Sequence, residues 1–340
     1  MWYEIHVLDV GDADAIVIKY RATDESSLVT AVIDAGNVGD GQKVLDCIGK
    51  ADDGKYHIDY AFCTHPDKDH KGGFFDLMQN NQVKIINLAL LDPWRYLNVG
   101  SFASIESEAE ARIKARAPFN NPTGKRENLI ELAISCQNLW QVRKGSSCQK
   151  MPLRVIGPSE AYYKQCALGM ANNFAEVVDD PEFEDYDENA IPDEDSARSV
   201  IDEDDDTSIT NRSSLILLFE PPDGRRFLLP GDANCASLKE VIGEFGDQLL
   251  GCTLKVPHHG SKHNLTTEII DSLAPKSAVI SAKGSKKHPS SAIVYWLSRH
   301  CNVFSTHKPN GTHKLKRLVY GSDINGGAVP LKKKIEPQEG

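Results

Sequence analysis

Residues 64 to 70 read Thr-His-Pro-Asp-Lys-Asp-His, and four of the seven, His65, Asp67, Asp69 and His70, are side chains that ligate divalent cations. In an extended segment alternate side chains point to one side, so His65, Asp67 and Asp69 can converge. His70 then enters from the following turn. A mixed imidazole and carboxylate set suits borderline or hard ions such as Zn, Mn or Fe. More residues of the same types stand elsewhere at the ends of apolar runs: Asp34, Asp232, and the pair His258 and His259.

The elements that must position these residues are legible as strands and helices. Tyr60-Ala61-Phe62-Cys63 reads as a buried strand leading into the His65 loop. Gly72-Gly73 and the amphipathic run Phe74 to Met78 follow it. Tyr3 to Val10, Ala15 to Tyr20, Leu28 to Ile33 and Val83 to Leu90 read as further strands. Ser104 to Ala117, rich in Ala, Glu, Lys and Arg, and Leu129 to Val142, with apolar residues at helical spacing, read as helices. After Ser208 strands resume, with Leu215 to Glu220 and Phe227 to Leu229 flanking the hairpin signal Pro221-Pro222-Asp223-Gly224. Strands thus come in two batches, each followed by ligand types and then a helix. Two sheets packed face to face, with helices outside, would bury both. The expected organisation is one domain over 1–320 with a tail over 321–340. Within it lies an insertion over 92–210, helical over 98–150 and a mobile acidic loop over 176–206.

Composition narrows the classes. The 340 residues are 40% hydrophobic, enough for a large core. No apolar run approaches the roughly 20 residues of a membrane span. The start, Met1-Trp2-Tyr3-Glu4-Ile5, lacks a basic or apolar leader pattern, so a cytoplasmic location without membrane contact is expected. The eight cysteines form no C-x-x-C pair and read as reduced thiols. Between Glu176 and Asp206 sixteen Asp and Glu face one Arg, a local charge of −15. The rest of the chain therefore carries +4 against the total of −11. Basic residues gather at 283–287, 308–317 and 332–334, which permits an anionic partner such as nucleic acid.

The order of these motifs resembles the metallo-β-lactamase fold. His65 to His70 is similar to its H-x-H-x-D-H signature with Asp67 in the second His position. Gly231-Asp232 resembles the element whose Asp bridges two metals, and Pro257 to Ser261 the last His motif. Leu8 to Ala15, His65-Pro66-Asp67-Lys68-Asp69-His70, Asn211 to Leu215, Leu254 to Ser261 and His288-Pro289-Ser290 resemble the motifs of the ComEC-like branch, here without its membrane channel segments. The resemblance covers residues 1 to about 90 and about 208 to 310. Ala13 stands where the branch has a second glycine. The separate His that the lactamases carry before Gly231-Asp232 has no equivalent, and Asn211 lies near that place.

The resemblance implies a four-layer αββα sandwich with a helical insertion and two divalent ions, Zn or Mn. His65 and Asp67 would serve the first ion, Asp69, His70 and His259 the second, and Asp232 both. Asp34 and Asn211 would support these ligands from behind. Asp69, His258, His288 and Lys255 are the candidate catalytic or substrate-contacting residues. The implied activity is metal-dependent hydrolysis of a phosphodiester, with DNA the first choice. A small phosphodiester or ester substrate, and a regulatory or binding module without turnover, are the alternatives. The 92–210 insertion offers a surface for a protein partner, and the acidic stretch a screen over a basic groove.

Overall fold

A computed structural model describes residues 1–102, 105, 107–172, 193–203, 205–206, 208–282 and 288–306, and the backbone of 317–321. The acidic residues 176–192, the basic stretches at 283–287 and 332–334, most of that at 308–317, and nearly all of the 321–340 tail lie outside the described residues.

Two mixed sheets form the frame. The first holds β1 (Trp2–Leu8), β2 (Ala15–Arg21), β3 (Val29–Ala35), β4 (Tyr56–Phe62), β5 (Val83–Leu90) and β6 (Leu139–Gln141). The second holds β7 (Leu153–Gly157), β8 (Ile216–Phe219), β9 (Phe227–Leu229), β10 (Thr253–Lys255), β11 (Ser277–Ile280) and β12 (Asn302–Ser305). A last strand, β13 (Arg317–Gly321), pairs with β1. The strand order is β13-β1-β2-β3-β4-β5-β6 in one sheet and β12-β11-β10-β9-β8-β7 in the other. Strands β3 to β6 run parallel, as do β9 to β12.

The helices are α1 (Gly41–Ile48), α2 (Lys68–Gln79), α3 (Glu108–Arg116), α4 (Leu129–Ser135), α5 (Glu160–Asn172), α6 (Glu194–Asp202), α7 (Ile209–Arg212), α8 (Cys235–Leu249), α9 (Thr267–Leu273) and α10 (Ser291–Ser298). None of those described is long and apolar enough to cross a membrane.

The period of two along each strand sorts its side chains into separate cores. Ile16, Ile18 and Tyr20 of β2 share a core with Leu217 and Phe219 of β8, so the two sheets face each other. Ala15 and Val17, on the other face of β2, pack under Val44 of α1 and Phe74 of α2. Ile216 and Leu218 of β8 likewise lie under Leu238 of α8 and Ile269 of α9. The layers are therefore helices, sheet, sheet and helices. Strands covered on both faces are apolar throughout, as in β8, all four of whose residues are buried.

Three expectations change. The helix read over Leu129 to Val142 stops at Ser135. Gln137 turns with φ of 56°, and Leu139–Gln141 becomes an edge strand on β5. The stretch 98–150, expected to be helical, thereby supplies an edge strand, β6, to the first sheet. The described end of the acidic stretch is the helix α6, which buries Ala197 and Ile201 beside α10. Apolar residues four apart make one helical face, and that face docks although the surrounding composition is acidic.

Candidate metal centre

The ligand-type residues follow the carboxyl ends of parallel strands: Asp34 at the end of β3, the His65 loop after β4, Asp232 after β9, and His258 and His259 after β10. Loops at that end of a parallel sheet are free to converge. Two close approaches hold them there. A Cβ on Gly73 of α2 would stand 2.0 Å from the Ala35 carbonyl oxygen, so only glycine lets α2 sit on the end of β3. Gly231, at φ of 57°, packs against the Thr64 side chain and brings the Asp232 turn onto the His65 loop.

Asp232 Oδ2 is the centre of the cluster. It lies 3.1 Å from His70 Nε2 and 3.9 Å from both His259 Nε2 and His65 Nε2. Asp69 Oδ2 lies 3.2 Å from His259 Nε2 and 3.7 Å from His70 Nε2. Asp69, His70, Asp232 and His259 thus each offer one atom to a single small volume. Ligand atoms about 2 Å from a tetrahedral ion stand a little over 3 Å apart, and the separations of 3.1 and 3.2 Å match that spacing. His65 Nε2 lies 3.7 Å from Asp67 Oδ2, and the His65 ring stands 4.1 Å from that of His70.

The tautomer of His65 follows from its neighbours. The Thr64 hydroxyl donates to Asp34 Oδ2 at 2.7 Å, so its oxygen can only accept from His65 Nδ1, 3.1 Å away. The lone pair of His65 therefore sits on Nε2, which is buried without a hydrogen-bond partner. An orphaned acceptor of this kind costs free energy unless a donor or a cation meets it. A divalent ion between His65, Asp67 and Asp232 would do so, and the donor set fits one.

Asp34 holds the ligands from behind. Its carboxylate accepts from the Thr64 amide at 2.8 Å, the Thr64 hydroxyl and His70 Nδ1 at 2.8 Å. His259 Nδ1 donates to the Ser281 carbonyl at 2.8 Å. Both bonds fix ring orientation and turn Nε2 toward the cluster. Burial disfavours a charged His70, but Asp232, Asp34 and Asp69 outweigh it and hold its pKa well above the usual value. His259 is raised likewise, burial being overcome by Asp232 and Asp69. Burial would raise Asp69 and Asp232, yet His70 and His259 hold both below the ordinary carboxylate range. Without a cation, protons on His70 and His259 balance the carboxylates of Asp69 and Asp232.

The other expected residues fall in different places. Asn211 does not reach the cluster: its Nδ2 donates to Asp206 Oδ2 at 2.7 Å and lies 3.4 Å from His258 Nδ1. His258 presents Nδ1 to Asn264 Oδ1 at 2.9 Å and Asp206 Oδ2 at 3.3 Å. The His288 ring stands 5.2 Å from that of His258 and 5.9 Å from that of His259. Lys255 is corrected. It is 2% exposed, and Nζ donates to Asp14 Oδ2 at 2.6 Å and the Val256 carbonyl at 3.0 Å, so it presents no ammonium to a substrate. Asp14, Asp206 and Asn264 also surround the cluster, without a local signal that marks them. Asp14 lies in the Leu8 to Ala15 motif, and Asp206 in a run of acids.

No protein-family model matches the chain. A stretch of 109 residues is 36% identical to ComE operon protein 3 of Bacillus subtilis (strain 168), covering 32% of this chain and 14% of that protein. The matched stretch is thus about a seventh of the relative's length.

Proposed function

We propose that the chain is a metal-dependent phosphodiesterase with a metallo-β-lactamase-like fold of the ComEC-like branch, and that DNA is its substrate. The observation that carries this reading is Asp232 Oδ2, 3.1 Å from His70 Nε2 and 3.9 Å from both His65 Nε2 and His259 Nε2, with an orphaned lone pair on His65 Nε2. His65, Asp67 and Asp232 would hold one divalent ion. Asp69, His70, His259 and Asp232 would hold a second, Zn or Mn in each case. When bound, such a pair would lower the pKa of water and offset the charge that builds on phosphoryl oxygens. Asp67, Asp69 and His258 are the partly exposed members, so a phosphate arrives from their side. Asn264 and Asp206 hold the His258 ring beside that opening, where it can contact a phosphate oxygen or leaving oxygen.

DNA is preferred because the branch that the motifs resemble is associated with nuclease activity. The 36% identity to ComE operon protein 3 supports the same branch. The test gives purified protein single- and double-stranded DNA with Mn(II), beside the Asp69→Ala, His70→Ala double variant. Cleavage that needs the metal and vanishes in the variant is expected. Intact DNA with the wild type would overturn the nuclease reading.

A further inference from the structure

We propose that Lys255 and Asp14 form a positioning pair that holds the two halves of the metal centre in register. The inference rests on the two-ion reading above and assigns these residues a role toward the ions without contact to them.

Asp14 precedes β2 in the first sheet, and Lys255 ends β10 in the second. They meet 241 positions apart in sequence with both side chains buried. Asp14 also touches both ligand loops. Its amide donates to the Asp69 carbonyl at 3.2 Å, and its carbonyl accepts from the Gly36 amide at 2.8 Å. Its Oδ1 is buried without a hydrogen-bond partner and stands 3.6 Å from His259 Nδ1. The Lys255 ammonium grips the Val256 carbonyl, three residues before His259. One salt bridge therefore joins the backbone carrying Asp69 to the strand exit carrying His259. Those two residues must come within tenths of an ångström of the ligand geometry to share an ion. A pair that served packing alone would not require Asp14 to leave one oxygen bare beside a ligand imidazole.

The test separates positioning from stability. Removing one partner strands a buried charge, so single variants can fail to fold. The Asp14→Asn, Lys255→Met double variant removes both charges at similar volume, which is tolerated far better. Metal-free wild type and double variant are titrated with Mn(II) by calorimetry, and their melting is followed. The double variant is expected to melt cooperatively, as the wild type does, and to bind Mn(II) at least about 10-fold more weakly at the tighter step. Wild-type affinity in the folded double variant overturns the proposal. If that variant does not fold, Asp14→Glu carries the test, since it keeps the charge and displaces the carboxylate by one methylene. The same loss is expected there, and unchanged affinity overturns the proposal. A wild type that takes up no Mn(II) overturns the metal centre itself, a different outcome from wild type and variant binding alike.

Discussion

At the residue scale, the six candidate ligands stand out because each sits in a short motif whose spacing requires no knowledge of the fold. His65, Asp67, Asp69 and His70 lie within six positions, and Asp232 and His259 within Gly-Asp and His-His-Gly turns. The residues that support them do not. Asp14 gains its place only from Lys255, 241 positions away. Lys255 was misjudged because lysines on strands usually reach solvent, and only a buried carboxylate keeps one inside. Asp206 belongs to a run of five acids that composition assigns to water. The geometry predicts unequal ligand substitutions. His65→Ala leaves the Asp69, His70, Asp232 and His259 set whole, so dialysed protein should keep about one ion of two. Asp232→Ala removes the atom common to both sets and should leave little tightly held metal. Elemental analysis of the two variants checks this, and equal metal content would contradict a shared Asp232.

At the element scale, strands were easier to read than helix ends. Apolar runs such as Ile216–Phe219 are bounded by turn residues, and they emerged close to their expected limits. The end of α4 was lost because the next apolar residues, Leu139 and Trp140, keep a helical spacing while pairing with β5. Glycine marks the two ways an element meets its surroundings. Gly73→Ala would drive a Cβ into the Ala35 carbonyl, pushing α2 with Asp69 and His70 off β3. A loss of about 1–3 kcal/mol is expected, read as a lower Tm. Gly243 in α8 has nothing within 4 Å of where a Cβ would stand. There Gly243→Ala should stabilise the protein by about 1 kcal/mol through helix propensity alone. Opposite shifts in Tm from one chemical change would test the close approach of α2 directly.

At the scale of the whole molecule, the described end of the acidic segment is built into the fold and not laid over it. α6 buries Ala197 and Ile201 in the outer core of the second sheet. The Trp296 ring of α10 receives Arg198 and Arg299, each 4.8 Å from its centroid, and Arg299 pairs with Glu194 at 2.7 Å. Asp202 accepts from the Thr267 amide and hydroxyl at the start of α9, and Asp205 from the Cys235 amide at the start of α8. Asp206 then reaches His258. The segment thus caps two helices, fills a core and braces a residue at the opening of the centre. A removable screen and an integral strap predict opposite results when residues 194–206 are deleted. On the nuclease reading, removing a screen would raise DNA cleavage and leave Tm unchanged. Removing a strap exposes the core beneath α6 and uncaps α8 and α9. Ile201→Ala alone should then cost about 2–5 kcal/mol, and loss of the Asp202 cap about 1 kcal/mol more. The deletion should therefore lower Tm sharply and lower cleavage with it. Ile201→Ala, which leaves Asp206 in the chain, should lower Tm while sparing more of the cleavage measured below its melting temperature. A deletion that melts like the wild type and cuts faster would make the segment a screen after all.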